Sequence, residues 1–381
     1  MRLSQFIKPL IVAAVILAAG SIAPVQAAGF TIDDYGTNQG PIGAIFPTQP
    51  LDEGTLVTGV ATGGERDLAA AATTGTQGAT TGIGVAGGLL RYLQDDPTST
   101  NDSGGFGTVQ YDGIDGNGDP YTGLDSDGLG GIDLTSGGAA NAFCLDIDEM
   151  IQLNVSLAVS TDAESVSSLT TFIDDIESPT TVAFPFVDFF PTGGAGADFS
   201  DVGAIVLTLG NPRDESSASI NIFRTCTVAA VNIPNGDLDA GGLAPWTDAG
   251  TGSLVNAGSQ AHTPPKVYRF TGATAGFGTE IIRQVLSQSG SAGDTYYLSF
   301  YIYGLDIQEY VQKGVRISFI GATTQNVLCP TSSVDDFNWQ RQVCEAEATI
   351  PYNQIRIDIG WRGAGSGSMA IDSISMVTLV P

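Results

Sequence analysis

The sequence predicts an all-β protein made of two tandem antiparallel jelly-roll β-sandwiches, and three observations favour this fold class. Glycine is abundant, with 50 residues among 381, and charged residues make up only 14% of the chain. Short runs that alternate apolar and polar side chains recur between turns rich in Asp, Gly, Pro and Ser, as in antiparallel sheets. The net charge of −27 argues against nucleic acid and anionic membranes as partners, because a field of that sign repels both.

Residues 1–27 are typical of a secretory signal peptide. A short basic start precedes an apolar run from Pro9 to about Ala19, which is short for a membrane span. Val25 and Ala27 stand at the two positions that a signal peptidase reads. We predict cleavage after Ala27, no membrane insertion, and a secreted protein that lies outside the cell or at its surface.

Residues 28–231 are predicted to form the first sandwich. In the part of this sandwich before Asn141, Gly84–Tyr92 and Gly107–Tyr111 are predicted as short strands. From Asn141 onward the pattern is clearer, with six β-rich runs separated by turns. These runs are Phe143–Ile147, Ile151–Ser160, Ser167–Ile173, Val182–Phe186, Ala204–Leu209 and Ser219–Thr227.

The segment from Asp112 to Asp133 indicates a cation site in the first sandwich. Oxygen-bearing side chains alternate with glycines, as at Asp115, Asn117 and Asp119, and this pattern lets a backbone wrap a hard cation such as calcium. Asp-Gly runs are also ordinary turn chemistry, so a plain turn is the alternative interpretation.

Two runs of the first sandwich resemble a known domain. Ala183–Phe190 and Ala197–Leu209 are similar to the second half of a jelly-roll domain of bacterial exported and surface proteins. That domain has an F-x-F-x-D-F strand, a D-F-x-D-V-G-A-I corner and a final strand. The resemblance covers about residues 29–230, and it implies a fold of the galactose-binding type without an assigned activity.

Residues 232–381 are predicted to form the second sandwich. The run Asn235–Trp246 is similar to the N-G-x-F-E-x-G-x-x-x-W opening of carbohydrate-binding modules of families four and nine. Tyr296–Tyr301, then Asn338 with Trp339, and finally Ala370–Met376 follow in the order of the later elements of those modules. The resemblance implies a galactose-binding-like sandwich that binds carbohydrate without catalysis.

The same resemblance implies a structural calcium ion in the second sandwich. In that family the first and last strands lie together beside the ion, so Asp237 and Asp372 are implied as ligands. The sequence departs from the family pattern at Leu238, Asp239 and Ser373, and the last of these replaces a second Asp.

The strand at 294–303 has two faces of different chemistry. One face is Leu298, Phe300 and Ile302, and the other is Tyr297, Ser299, Tyr301 and Tyr303. The aliphatic face belongs in a core. The tyrosine face offers flat rings with hydroxyls at their tips, which suit stacking on sugar rings or contact with a partner protein. Cross-strand packing beneath a loop is the alternative interpretation.

Two other alternating runs, at 315–320 and 355–362, carry polar side chains. If these strands neighbour the tyrosine strand, one sheet face combines Tyr301, Tyr303, Arg316, Arg356 and Asp358. Stacking rings with a few orienting polar groups are what sugar recognition in water needs. We therefore expect these residues to bind a polysaccharide or surface glycan. The alternative is a solvated face on which Arg and Asp pair with one another.

The four cysteines favour disulfides, because an even number in an exported chain fits an oxidising compartment. Three pairings are possible. Only Cys144–Cys226 with Cys329–Cys344 keeps each bridge inside one proposed domain, so this pairing is preferred. A zinc site would lack histidine partners, since His262 is the only histidine in the chain.

Catalysis is disfavoured by the sequence. His262 lies in a loop, where we expect a surface residue without a role, and the chain has no G-x-S-x-G turn to present a serine nucleophile. Catalysis of glycoside hydrolysis by paired carboxylates stays open, since 41 acids make chance pairs inevitable.

The predicted function is non-catalytic glycan binding with a structural calcium. The alternative is a structural or assembly protein of the cell surface or extracellular matrix, which associates with itself or with other surface proteins.

Overall fold

The computed structural model describes residues 29–49, 51–53, 57–58, 61–95, 104–116, 123–211, 216–250, 252–271, 279–305, 312–330, 337–362 and 367–380. The predicted signal peptide lies outside the described residues, as do Asn117 and Asp119 of the predicted cation loop. Apart from three 3₁₀ turns, at Thr62–Gly64, Phe186–Asp188 and Gly258–Gln260, the regular elements of the described ranges are strands. No helix within these ranges has the length and apolarity needed to cross a membrane.

The first half of the chain folds into a sandwich of two sheets. Its strands are β1 (Thr31–Asp33), β2 (Gln39–Ile45), β3 (Leu51–Glu53), β4 (Val57–Thr58), β5 (Glu65–Thr74), β6 (Thr80–Ala86), β7 (Leu89–Asp95), β8 (Gly104–Tyr111), β9 (Ala142–Ile151), β10 (Leu153–Ser160), β11 (Val166–Ile173), β12 (Thr180–Pro185), β13 (Phe190–Gly193), β14 (Ala204–Asn211) and β15 (Ser216–Cys226). One sheet has the order β12-β9-β15-β7-β6-β2, and the facing strands have the order β11-β10-β14-β8-β5-β3.

Strand alternation decides which side chains of the first sandwich enter its core. On β10, Leu153, Val155 and Leu157 are buried in the core, whereas Asn154 points to the opposite face. The six runs predicted downstream of Asn141 all correspond to strands of this sandwich. The prediction of an all-β fold is confirmed.

The predicted strand Gly84–Tyr92 is wrong as a single element. The chain turns at Gly87 and Gly88, so β6 and β7 form an antiparallel hairpin instead. Both glycines have positive φ, 65° and 79°. A two-residue hairpin loop with a type I′ turn requires positive φ at both positions. Glycine adopts it without the steric cost that a Cβ atom would bring.

The second half of the chain folds into another sandwich. Its strands are β16 (Val228–Val231), β17 (Thr247–Ala249), β18 (Ser253–Asn256), β19 (Lys266–Thr271), β20 (Thr279–Leu286), β21 (Thr295–Leu305), β22 (Gln312–Ile320), β23 (Thr324–Pro330), β24 (Phe337–Glu347), β25 (Gln354–Arg362) and β26 (Ser368–Leu379). One layer has the order β18-β19-β26-β21-β24, and the facing sheet has the order β17-β20-β25-β22-β23. Leu298, Phe300 and Ile302 of β21 lie in the core between the layers, as predicted.

The division of the chain at residue 231 stays a prediction, although the two cores are separate. The core of the first sandwich ends at Phe223 and that of the second begins at Leu238. Strand β16 pairs with β26, with Val228 opposite Leu379. The chain therefore joins the sheet of the second sandwich slightly before the predicted boundary.

The two sandwiches meet along one side of each. Strand β11 of the first lies beside β24 of the second, where Phe172 is opposite Gln342 in a parallel pair. Tyr297 of β21 is buried against Ala142 and Cys144 of the first sandwich. Its hydroxyl donates a hydrogen bond to the carbonyl of Thr181. The tyrosine face of β21 is therefore turned toward the first sandwich rather than toward open solvent.

Both predicted disulfides are confirmed. Cys144–Cys226 joins the neighbouring strands β9 and β15 of the first sandwich. Cys329–Cys344 joins β23 to β24, which lie in the two facing layers of the second sandwich. The second bridge therefore links the layers covalently at one edge.

Glu345 makes the stability of the junction depend on pH. It accepts a hydrogen bond from the Thr180 hydroxyl of the first sandwich, and burial raises its pKa from 4.5 to about 7. The folded protein thus binds more protons than the unfolded chain between these two values. The free energy of unfolding therefore falls as the pH rises through this window.

We expect Glu345→Gln to flatten this decline and to raise the free energy of unfolding at about pH 8 by about 1–2 kcal/mol, because the amide keeps a hydrogen-bond acceptor without a buried charge. Urea denaturation at about pH 5 and about pH 8 measures the change. Glu164→Gln, at an exposed position, serves as the control. An unchanged pH dependence in Glu345→Gln would contradict the assignment.

Candidate functional site

A crevice of about 470 Å³ lies between the two sandwiches and is walled by aromatic rings. Phe190 contributes from the first sandwich, and His262, Tyr301 and Trp339 contribute from the second. We call this space the interdomain crevice. It is lined by residues of β11 and of β24, which lie side by side.

The centre of the interdomain crevice is a stacked pair of rings. The rings of Tyr301 and His262 lie 3.4 Å apart between centroids, with an angle of 15° between their planes. Phe190 meets both of them edge-on, at 5.5 Å from His262 and 6.2 Å from Tyr301. Phe190 is also 48% exposed, so part of its ring is open to a ligand.

His262 is held in place by its own loop and by the last strand. Its Nδ1 lies 3.2 Å from the Ser373 hydroxyl and 3.3 Å from the Thr263 hydroxyl. Burial lowers the pKa of His262, so the ring is neutral at physiological pH and stacks without carrying a charge. His262 is thus half-buried against Tyr301 rather than a surface residue, while the expectation that it has no role stays a prediction.

Trp339 of β24 forms another wall of the interdomain crevice. Its Nε1 donates a hydrogen bond of 2.9 Å to the carbonyl of Gln260, which pins the edge of the indole. The ring of Tyr303 packs against it at 5.7 Å. Tyr303, a predicted ligand-binding residue, thus supports Trp339 from behind, whereas Tyr301 lines the interdomain crevice itself.

Amide and guanidinium groups complete the lining. Gln340 donates a hydrogen bond of 3.2 Å to the side-chain oxygen of Asn154, across the junction between the sandwiches. Arg341 donates to the Thr171 hydroxyl at 2.8 Å and forms an ion pair with Asp188. These contacts fix the width of the interdomain crevice, and they place planar polar groups beside aromatic faces.

A second crevice, of about 260 Å³, adjoins the first. It shares Phe190, His262, Tyr301 and Arg341 with the interdomain crevice and continues along β26 toward Ser375. The two spaces thus both border the stacked rings of His262 and Tyr301.

Three predicted ligand-binding residues do not lie with the tyrosines. Arg316, Arg356 and Asp358 are on β22 and β25, in the layer of the second sandwich opposite to β21. The predicted sheet face that combines them with Tyr301 and Tyr303 is therefore wrong. The alternation predicted which side chains share a face within each strand, but the sequence does not show which strands share a layer.

The charged side chains of that opposite layer pair with one another. Asp358 is surrounded by Arg283, Arg316 and Arg356, with a distance of 3.3 Å between Arg356 Nε and the carboxylate. Although burial works against ionisation, the hydrogen bonds and charges of Arg283 and Arg316 lower the pKa of Asp358. The alternative drawn from the sequence, in which Arg and Asp satisfy each other, describes this face.

Of the calcium ligands implied for the second sandwich, Asp372 lies within β26, and Asp237 follows Gly236, whose carbonyl accepts a hydrogen bond from Ile374 of the same strand. Both carboxylate oxygens of Asp372 accept backbone hydrogen bonds of 2.7 Å, from Thr263 and Ser373, and burial raises its pKa to about 6. Asp237 is exposed and accepts a hydrogen bond from the backbone of Asp239. A calcium ion at Asp237 and Asp372 stays a prediction.

The interdomain crevice offers binding chemistry rather than a recognisable catalytic arrangement. His262 does contact a serine hydroxyl, that of Ser373. Within the described ranges, however, no carboxylate hydrogen-bonds to the imidazole, so the ring lacks the acid that orients the base in a Ser–His–Asp arrangement. Planar rings flanked by amides are instead suited to stacking and hydrogen bonding.

Sequence reasoning missed Phe190 and Asn154 as site residues. Asn154 is polar at an outward position of a strongly alternating strand, but many such positions are simply solvated. Phe190 closes an aromatic run whose other members, Phe184, Phe186 and Phe189, pack in or against the core. An exposed phenylalanine at the end of such a run is a signal that could have been found.

Comparison of the sequence with known protein families finds no match, and comparison with curated proteins finds none either. In structure, the chain is similar to the module TmCBM61 in complex with β-1,4-galactotriose, at 18% identity and a TM-score of 0.29, over 38% of this chain and 95% of the module. It is also similar to the CBM22-1-CBM22-2 tandem domain of Paenibacillus barcinonensis Xyn10C, at 10% identity and a TM-score of 0.30, over 93% of this chain and 100% of the tandem. A third is a cyclase from Fischerella sp. TAU, at 12% identity and a TM-score of 0.32, over 40% of this chain and 98% of the cyclase.

All three TM-scores lie below 0.5, so these similarities carry no argument about this chain. The carbohydrate-binding modules among them belong to families other than four and nine.

Proposed function

We propose that the protein is an exported, non-catalytic binder of neutral glycan chains, and that the interdomain crevice is its binding site. The observation that carries this proposal is the convergence of Phe190, Tyr301 and Trp339 with the amides of Asn154 and Gln340 in one crevice. Sugar rings have apolar faces and polar edges, so stacking supplies apolar contact while amides fix the orientation.

A neutral glycan is favoured over an acidic one by charge. The chain carries a net charge of −27, and the cation nearest the stacked rings, Arg341, is already paired with Asp188. Among the described residues that line the interdomain crevice, a polyanionic sugar would therefore meet no unpaired cation to offset this repulsion. The two disulfides are consistent with export to an oxidising compartment. The motif resemblance of the second sandwich to families four and nine supports the same class of ligand.

The test is a glycan array on the protein without its signal peptide, followed by calorimetry with any neutral polysaccharide that binds. We expect Trp339→Ala and Phe190→Ala each to weaken binding by about 10-fold, because each removes one stacking surface. Arg316→Ala, in the opposite layer, is the matched control and should leave the affinity unchanged. Thermal unfolding of each variant checks that the fold survives.

Three outcomes would contradict the proposal in whole or in part. Binding that is lost in Arg316→Ala but kept in Trp339→Ala would move the site to the opposite layer. The absence of binding to any glycan, together with a size that increases with protein concentration in ultracentrifugation, would favour the alternative of a surface or matrix assembly protein. Turnover of a bound glycan would contradict the non-catalytic part.

A further inference from the structure

The first sandwich contains a group of buried acids that the interdomain crevice does not use. Glu65 and Asp67 lie on β5, and Asp112 directly follows β8, the neighbouring strand. Asp67 is opposite Gln110 in the sheet. Because side chains two residues apart on a strand share a face, all of these groups lie on one face. That face is the one opposite the core, since Leu68 of β5 points into the core.

The chain that follows β8 folds back over these acids. The backbone N–H of Asp115 donates to Glu65 at 3.2 Å, and that of Asp125 donates to Asp112 at 2.8 Å. Gly113 permits this close return, because it has a φ of 90° and a Cβ there would lie 2.2 Å from the carbonyl oxygen of Gly128. As a result, Glu65, Asp67 and Asp112 are fully shielded from solvent.

The buried carboxylates lack partners for most of their oxygens. Among the residues that the structure describes, neither oxygen of Asp67 has a hydrogen-bond partner, and one oxygen each of Glu65 and Asp112 also has none. One oxygen from each of Glu65, Asp67 and Asp115 lies within 4.8 Å of the others. Burial of ionised groups in this state is unfavourable unless an opposite charge compensates them.

The charges that act on Asp67 all have the same sign. Burial has the largest effect on its pKa, and the negative charges of Glu65, Asp112 and Asp115 add to it, which together raise the pKa to about 7. The nearby guanidinium of Arg66 points to the other face of β5, where it pairs with Asp33. Among the described residues, no positive charge therefore offsets these negative charges at Asp67.

The geometry points to a calcium-binding site formed by Glu65, Asp67 and Asp115, beside which Asp112 adds a further buried carboxylate. All of the donors are oxygens, which hard cations prefer over the nitrogen and sulfur ligands of zinc or copper. Calcium fits better than magnesium, because it accepts an irregular shell of many protein oxygens, whereas magnesium keeps a strict octahedron with several waters. The unpartnered side-chain oxygen of Gln110 on the same face provides a further neutral donor.

This site differs from the cation sites that the sequence suggested. The loop residue Asp115 is retained, but the other ligands come from β5 and from the end of β8 rather than from the loop alone. The site is also far along the chain from Asp237 and Asp372 of the second sandwich. A bound ion would tie β5 to the loop that crosses it, and it would thereby stabilise the first sandwich in a calcium-dependent way.

The experiment uses the whole protein without its signal peptide, stripped with a chelator at about pH 8, above the raised pKa of Asp67. Calorimetric titration with calcium chloride should show saturable binding, and the melting temperature should rise by several degrees. Magnesium chloride in the same range should bind at least about 10-fold more weakly. No binding of either ion would overturn the proposal, and tighter binding of magnesium would overturn the choice of calcium.

Asp67→Asn separates a metal site from a merely crowded group of acids. We expect this variant to bind calcium at least about 10-fold more weakly, since it removes a charged ligand. In chelator the variant should melt at a higher temperature than the unaltered protein, because repulsion among the acids is relieved. In calcium the variant should melt at a lower temperature than the unaltered protein.

Asp127→Asn is the matched control, because Asp127 lies exposed in the same loop. It should leave calcium affinity unchanged. Calcium binding that survives in Asp67→Asn, or that is lost equally in Asp127→Asn, would overturn the assignment to the buried group. Glycan binding through the interdomain crevice involves none of these residues, so the failure of one proposal does not imply the failure of the other.

Discussion

Replacement of Arg66 by methionine is expected to lower the free energy of unfolding of the first sandwich by about 3–5 kcal/mol, the largest effect among the changes considered. Arg66 and Asp33 form an ion pair of 2.7 Å, and both side chains are 0% exposed. The guanidinium also donates to Gln39 and to the carbonyl of Thr37. Methionine leaves the Asp33 carboxylate buried beside an apolar side chain.

Urea denaturation of the variant and of the unaltered protein measures this loss in the free energy of unfolding. Arg91→Met is the matched control, because Arg91 is exposed on β7 and its replacement should change the free energy by less than about 0.5 kcal/mol. The double variant Arg66→Met/Asp33→Asn should recover part of the loss, since the unpaired charge is removed. A loss below about 1 kcal/mol in the single variant would show that Asp33 finds another partner or becomes neutral.

Arg341→Met is expected to be the second most damaging change, with a loss of about 2–4 kcal/mol. Arg341 belongs to the second sandwich and is only 3% exposed, but both of its side-chain partners, Thr171 and Asp188, belong to the first. Its removal breaks two polar contacts across the junction. Because the same side chain lines the interdomain crevice, glycan binding should weaken with the stability of the junction.

Small-angle X-ray scattering and chemical denaturation together test this change. We expect a larger radius of gyration and an earlier unfolding transition in Arg341→Met. Arg269→Met, at an exposed position on β19, controls for the loss of one positive charge in the same sandwich. Unchanged stability with unchanged scattering would mean that the two sandwiches are held together by the apolar contacts of Tyr297 instead.

Local pattern was sufficient for several features of this protein. The alternation of Leu298, Phe300 and Ile302 with tyrosines predicted the core face of β21, because side-chain direction on a strand has a period of two. The pairing of the cysteines followed from keeping each bridge within one proposed domain. Both kinds of inference depend on neighbours along the chain or on a coarse division of it.

Tertiary structure decided the composition of both candidate sites. The sequence predicted that Arg316, Arg356 and Asp358 share a face with Tyr301, but layer membership depends on strand order, which local alternation does not encode. It likewise predicted a cation loop around Asp115, but not that Glu65 and Asp67, on a strand much earlier in the chain, lie beneath that loop.

The physical reason is the same in each case. The alternation along a strand indicates which side chains project from the same face of the sheet. The sequence of the protein determined this by itself. Which surfaces then meet depends on how the two sandwiches bury their remaining apolar area, and here they meet along the tyrosine face of β21. That contact made the tyrosine face part of a crevice rather than an open surface, and it brought in Phe190 and Asn154 from the other sandwich.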